Sequence, residues 1–257
     1  MQLETDLRRA LSRLESRLHY QPIVSLNSGR ITGFEALIRW QHPSRGLVFP
    51  AEFIPVAEAT GLIVPIGWWV LGEACRQIHA IQVQFPTEVP LTISVNFSTK
   101  QFSQPDVVEQ IDQILRSTGL HASSLALEIT ESAIMENAET ATTTLWQLQR
   151  LGVKLFLDDF GTGYSSLSYL YRFEFTTLKI DRSFVNRMGV NGENSEIVRT
   201  IITLAHSMSM NVTAEGVETA AQLDQLRALK CEYGQGYFFS KPVEYKAVGA
   251  ILAAQPQ

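Results

Sequence analysis

The sequence predicts an α/β protein: a single (β/α)8 barrel of the TIM type whose first strand runs antiparallel to its neighbour. Three observations carry that expectation. Short apolar runs alternate with longer helical patterns through the whole chain, as in parallel strands joined by crossover helices. Eight strand candidates fall within roughly 240 residues, which suits a closed barrel better than an open sheet. The first connection, Leu26-Asn27-Ser28-Gly29, is a turn with no room for a helix, so the first two strands pair antiparallel.

The elements follow in order. Leu3, Leu7, Leu11, Leu14 and Leu18 recur at spacings of three and four with charges between them, which predicts an amphipathic helix over residues 1–18. That helix either covers one end of the domain or is the tail of a connector from an upstream module. Strands are expected at 19–24, 31–40, 91–95, 125–129, 153–157, 177–180, 212–214 and 234–238. Helices are expected at 51–59, 67–83, 105–117, 133–151, 165–171, 195–210, 219–229 and 244–253. The longest apolar stretch, residues 61–72 (GLIVPIGWWVLG), is interrupted by Pro65. It falls short of the about 20 residues a bilayer span needs and reads as the start of a buried helix. No linker, charge run or internal repeat divides the chain, so residues 1–257 read as one domain.

Composition narrows the function. With 45% apolar and 18% charged residues the chain is an ordinary globular one, not a disordered or low-complexity one. Lys and Arg number 21 against 26 Asp and Glu, a formal charge of −5. That balance argues against polymeric nucleic acid as a partner, which calls for a basic face, while leaving room for a small anionic ligand held by metal ions. Cys75 and Cys231 lie far apart without CxxC spacing and read as buried free thiols in a reducing cytoplasm. No signal peptide opens the chain. The five histidines show no ligand spacing, so a histidine zinc site is not expected.

The informative pattern is where polar residues fall. Glu35 lies in the second expected strand, Asn96 closes the third, Glu128 nears the end of the fourth with Glu131 beyond it, and Asp158 and Asp159 follow the fifth. Lys179 and Asp181 mark the sixth, Glu215 and Glu218 the seventh, and Gln235 the eighth. In a parallel barrel these ends converge on one face, where active sites are built. One carboxylate at a strand end can be a helix-start residue; the same event on five strands is not capping. Carboxylates and an amide oxygen without Cys or His make an oxygen-only site suited to Mg²⁺ or Mn²⁺. Adjacent aspartates can hold a pair of such ions, the arrangement used for phosphodiester displacement. Glu218 is equally readable as a first-turn helix acid. Trp40, Trp68, Trp69 and Trp146 follow core periodicity for at least three of the four.

The residues 33–40 (GFEALIRW) resemble the signature of the EAL family of cyclic-di-GMP phosphodiesterases. Residues 20–24 (YQPIV), 94–96 (SVN), 128–132 (EITES), 158–166 (DDFGTGYSS), 178–184 (LKIDRSF), 214–218 (AEGVE), 235–237 (QGY) and 241–242 (KP) follow in the family's order. The resemblance implies the barrel with its reversed first strand and hydrolysis of cyclic di-GMP to linear pGpG. It also implies two Mg²⁺ or Mn²⁺ ions as cofactors, with Ca²⁺ inhibitory. By the same resemblance Glu35, Asn96, Glu128 and Asp158 hold one metal, and Asp158, Asp159 and Glu215 hold the other. Lys179 positions the water, Asp181 orients Lys179, and Glu215 is a candidate general base. Gln21, the Leu37 backbone, Arg39 and Gln235 contact substrate, and Glu131 anchors the 159–166 loop. A homodimer is implied, as is an upstream sensor or GGDEF module if the chain is an excised, cytoplasmic piece of a larger, membrane-anchored protein. Phe97, Thr99, Phe102 and Lys230 depart from the family's usual residues, none at a ligand position. The competing reading is a catalytically silent cyclic-di-GMP receptor.

Overall fold

The protein is described by a computed structural model covering residues 2–135, 138–161, 173–188 and 193–255. In chain order the strands are β1 (Ser16–Ser25), β2 (Ile31–His42), β3 (Gly46–Val48), β4 (Thr92–Asn96), β5 (Leu125–Thr130), β6 (Lys154–Phe160), β7 (Thr177–Ile180), β8 (Asn211–Ala214), β9 (Tyr233–Gly234) and β10 (Val243–Glu244). The principal helices are α1 (Gln2–Ala10), α2 (Pro50–Thr60), α3 (Ile63–Gln84), α4 (Thr99–Phe102), α5 (Val107–Thr118), α6 (Glu131–Met135), α7 (Ala138–Leu151), α8 (Arg182–Val185), α9 (Glu193–Ser207), α10 (Ala220–Ala228) and α11 (Tyr245–Ala253).

Eight strands close a barrel in the order β1-β2-β4-β5-β6-β7-β8-β9, and β9 returns to β1. β1 pairs antiparallel with both β2 and β9, while every other barrel pair is parallel. The reversal comes from the short turn after β1, where Ser25 N–H donates to Arg30 O and Gly29 takes a left-handed φ of 71°. Strands such as β5 and β7 are buried along nearly their whole length, because the barrel interior covers one face and the helices cover the other. Gly33 makes one close approach possible: a Cβ there would stand 2.6 Å from the Thr92 carbonyl oxygen of β4.

Several boundaries differ from the sequence expectation. The N-terminal helix ends at Ala10 rather than Leu18. Leu14 sits at φ 56° and is largely exposed, and Leu18 is buried as a β1 residue. The leucine spacing therefore crosses from a helix into a strand by coincidence. β9 covers Tyr233–Gly234 instead of 234–238, because Val217 N–H donates to Gln235 O and Phe238 N–H to Val217 O, bending the chain away. β3, β10, α4 and α8 carried no sequence signal that was read. The expected helix at 165–171 lies outside the described residues.

β2 overhangs the barrel, and α1 is fastened to that overhang. Trp40 Nε1 donates to Glu15 Oε2 at 3.0 Å, Gln41 N–H to Glu15 O at 2.8 Å, and His42 Nε2 stands 3.5 Å from Asp6. Among the described residues no helix is long and apolar enough to cross a membrane. Both thiols are buried, and burial pushes each up to about 12.

Candidate active site

The parallel strands deliver their polar ends to one mouth. Strand alternation puts Glu35, Leu37 and Arg39 on one face of β2, and the register sets Gln21 opposite Glu35 across β1 and β2. Asn96 of β4 faces Glu128 of β5, and Thr130 faces Asp158 of β6. Lys179 rises from β7, and Glu215 follows directly after β8.

Lys179 stands at the centre. Its Nζ lies 2.6 Å from Glu215 Oε1, 2.7 Å from Glu128 Oε2, and 3.6 Å from both Glu35 Oε2 and Asp158 Oδ1. The side chain is 1% exposed. One ammonium thus serves four carboxylates in a low-dielectric setting. Burial alone would lower the Lys179 pKa, but Asp158, Glu128, Glu215 and Glu35 outweigh it and hold the ammonium well above its ordinary value.

The carboxylates answer differently to the same surroundings. Burial pushes Glu128 well above the usual carboxylate range, reinforced by the charge of Glu35 and opposed by Lys179. Burial likewise pushes Glu215 up to about 7 against the pull of Lys179. Glu35 moves the other way. Burial would raise it, but Lys179 and hydrogen bonds from Gln235 and Asn96 hold it below its ordinary value. Asn96 Nδ2 donates to Glu35 Oε1 at 2.7 Å, and Gln235 Nε2 donates to Glu35 Oε2 at 2.6 Å and to Gln21 Oε1 at 3.0 Å. Gln21 in turn donates to Ser240 O at 3.2 Å. Glu35 is therefore clamped from both sides.

Asp158 and Asp159 are consecutive, yet both belong to the site. The β6–β7 register shifts between Leu157 and Phe160, and Asp159 adopts φ 53°. A bulge with one left-handed residue breaks the alternation that would otherwise send neighbours to opposite faces. Asp159 is raised by burial, then by the charges of Asp158 and Asp181. Gly216, at φ 70°, turns the chain after Glu215 where a Cβ would meet Arg182 Cβ at 2.6 Å.

Asp181, Glu218 and Glu131 stand at helix starts beside the cluster. Asp181, expected to orient Lys179, caps α8 by accepting from Ser183 N–H at 2.9 Å, and it stands near enough to the site for its charge to raise Asp159. Glu218, a possible pocket residue, is exposed on the approach to α10, its backbone N–H donating to Gln222 Oε1. Glu131 is buried in the first turn of α6, while most of the 159–166 loop it was expected to anchor lies outside the described residues. Arg39 is buried, its guanidinium 5.3 Å over the Phe49 ring. Leu37, Asn96 and Glu128 line a cavity of about 340 Å³ that continues over Ile54, Ile66 and Phe97. Phe49 and Tyr237, exposed at this mouth, were not singled out from sequence; the signal was the position of Tyr237 two residues after Gln235.

Among the described residues no three Asp, Glu, His or Cys side chains are already closed into a metal-binding set; the carboxylates are spread round the ammonium. The donor set is nevertheless all oxygen. Glu128 Oε1 is buried without a hydrogen-bond partner, a costly state for a carboxylate, and Asp158 Oδ1 has only the Lys179 ammonium, 3.6 Å away. These residues fit hard divalent cations.

Comparison with known proteins gives a consistent picture. The chain is 43% identical over 253 residues to the bifunctional diguanylate cyclase/cyclic di-GMP phosphodiesterase MucR of Pseudomonas aeruginosa, covering 98% of this chain and 37% of that protein. It is 41% identical over 254 residues to the cyclic di-GMP phosphodiesterase NbdA of the same organism, covering 99% of this chain and 32% of the relative. The chain thus spans about a third of the length of these curated relatives. Among solved structures, the MucR phosphodiesterase in complex with c-di-GMP superposes with a TM-score of 0.92 at 43% identity, covering 96% of this chain and all of that one. The EAL enzyme Bd1971, bound to cAMP and cyclic di-GMP, gives 0.94 at 37% identity, covering 98% and 68% respectively. With residues 4–242 matching the EAL domain, this chain belongs to the EAL domain family.

Proposed function

We propose that this chain hydrolyses cyclic di-GMP to linear pGpG. The observation that carries the reading is the buried cluster of Glu35, Glu128, Asp158 and Glu215 round Lys179 at the barrel mouth. Its support is the chain-long similarity to MucR and NbdA and to a c-di-GMP complex of the same fold.

Two Mg²⁺ or Mn²⁺ ions belong to the proposal. Glu35, Asn96, Glu128 and Asp158 would hold one, and Asp158, Asp159 and Glu215 the other; Ca²⁺ would occupy the site without supporting turnover. When bound, such ions lower the pKa of water and neutralise charge growing on the phosphoryl oxygens. The chain's own groups supply the rest. Water attacks phosphorus in line as the bond to the 3′-oxygen breaks, Glu215 accepts the water proton, and the departing 3′-oxygen takes up a proton from solvent. Lys179 holds that water and offsets the charge of the transition state. Gln235 and Asn96 keep Glu35 in place, and Arg39 receives a phosphate of the substrate.

A homodimer belongs to the same proposal, formed through the helices beside the 159–166 loop; α7 presents Trp146, 57% exposed, toward solvent. Light scattering on the purified protein tests it. The buried thiols suit a reducing cytoplasm. A time course with cyclic di-GMP, following pGpG by chromatography, tests the activity. Turnover with Mg²⁺ or Mn²⁺, lost in EDTA, in Ca²⁺ and in Asp158→Ala, is expected. Binding without pGpG makes the chain a receptor, and neither binding nor product overturns the reading.

A further inference from the structure

Two aromatic rings stand exposed at the mouth, each with a cation against one face. Phe49, at the start of α2, is 52% exposed with the Arg39 guanidinium 5.3 Å from its ring centre. Tyr237, two residues beyond Gln235, is 59% exposed with Lys241 Nζ 5.4 Å from its ring centre. Large rings left in water gain nothing from the core, and their neighbours already contribute cation–π contacts at these separations. Each ring is tied to the carboxylate cluster, Phe49 through Arg39 and Tyr237 through Gln235. Arg39 is four residues past Glu35 on the same face of β2, about 13 Å at ~3.3 Å per residue. Tyr237 follows the glutamine that holds Glu35 and lies within electrostatic reach of Arg39. Phe49 follows β3, which pairs with β2, and Tyr237 follows β9, so the segments that carry the two rings leave the sheet on opposite sides of β1.

We propose that Phe49 and Tyr237 are stacking platforms for the two purine bases of the substrate, and that they make the site select a base-bearing dinucleotide over a simple phosphodiester. This rests on the cyclic-di-GMP reading above. The phosphodiester alone offers the carboxylate cluster nothing to distinguish one diester from another. Each phosphate of the substrate is flanked by two nucleosides, and a platform on either side of β1 meets that arrangement. The free face of each ring takes a base, and the cation on the other face strengthens the stack while facing the anionic backbone. Base-on-aromatic stacking of ordinary strength corresponds to roughly tenfold in affinity for one platform.

The test compares wild type with Phe49→Ala, Tyr237→Ala, Phe49→Tyr and Tyr237→Phe. Steady-state kinetics use cyclic di-GMP, with GMP and ribose 5-phosphate as competing ligands. Each alanine variant is expected to raise KM roughly tenfold with a smaller change in kcat, and to weaken inhibition by GMP but not by ribose 5-phosphate. The aromatic-for-aromatic variants are expected to restore KM to within about twofold. Because both rings are exposed, thermal midpoints near wild type are expected for all four. An unchanged KM in both alanine variants overturns the platforms. So does an equal weakening of GMP and ribose 5-phosphate, which would mean the mouth had collapsed. If wild type binds cyclic di-GMP without cleaving it, the same comparison is read as Kd. A wild-type protein that neither binds nor cleaves it overturns both readings, whereas wild-type binding matched by the alanine variants overturns the platforms alone.

Discussion

Replacing Lys179 by methionine keeps the buried stem and removes the charge. Before the change, four carboxylates share one ammonium, with separations of 2.6, 2.7, 3.6 and 3.6 Å. Afterwards they share none. Breaking a buried ion pair by deleting one partner costs about 3–5 kcal/mol, because the charge left behind is uncompensated. Part of that cost is avoided where a carboxyl can take up a proton. Glu128 and Glu215 already sit above the ordinary range through burial, and loss of Lys179, which opposes that shift, raises them further. The destabilisation should therefore grow with pH. Urea unfolding in EDTA, followed by circular dichroism, should show Lys179→Met losing about 4 kcal/mol at pH 8 and less than half of that at pH 5. Millimolar Mn²⁺ should restore part of the loss at pH 8, about 2.7 kcal/mol when the ion is at a hundred times its Kd. An equal loss at both pH values would mean that only packing had changed, and the electrostatic account of the cluster would be wrong.

The remaining predictions follow from the same geometry. For the metal-free wild-type protein, the raised Glu215 carboxyl contributes stability that is complete below its unfolded pKa of 4.5 and is lost as pH rises through about 7; a decline of about 3 kcal/mol across that window is expected in EDTA, with Glu128 adding in the same direction and Glu35 opposing. Asp158→Ala should abolish turnover, while Lys179→Ala should lower kcat more than it raises KM, since its help is greatest in the transition state; a kcat for Asp158→Ala near that of wild type would refute the site. Gly33→Ala places a Cβ 2.6 Å from the Thr92 carbonyl oxygen, so β2 and β4 must separate, and a loss of about 2 kcal/mol in urea is expected.

Much of the site was legible because the recurring strand-end carboxylates could not be capping residues on every strand. Which strand faced which was not. The clamp on Glu35 depends on Gln21 and Gln235, brought together across more than two hundred residues, and no local pattern reports such a register. The double aspartate was expected to serve one site; the left-handed Asp159 inside a bulge belongs to backbone geometry, which no residue pattern reports. Asp181 and Glu218 were singled out by their motifs, and each also stands at a helix start, where Ser183 N–H donates to the Asp181 side chain and Glu218 N–H to Gln222. Leu14 and Leu18 kept a helical spacing after the helix had ended. Of the four tryptophans, at least three of which core periodicity favoured without saying which, Trp146 is the exposed one.

The reversal of β1 has a mechanical consequence. In a barrel whose strands all point one way, the chain enters at the floor, opposite the reacting groups. Here Ser16 pairs with Trp40, beyond Glu35 along β2, so the polypeptide enters at the catalytic rim. The segment before it grips that rim by way of Glu15 and Asp6. A pull or twist on residues 2–10 is thus delivered first to the strand end that bears Arg39, and only afterwards to the barrel beneath it.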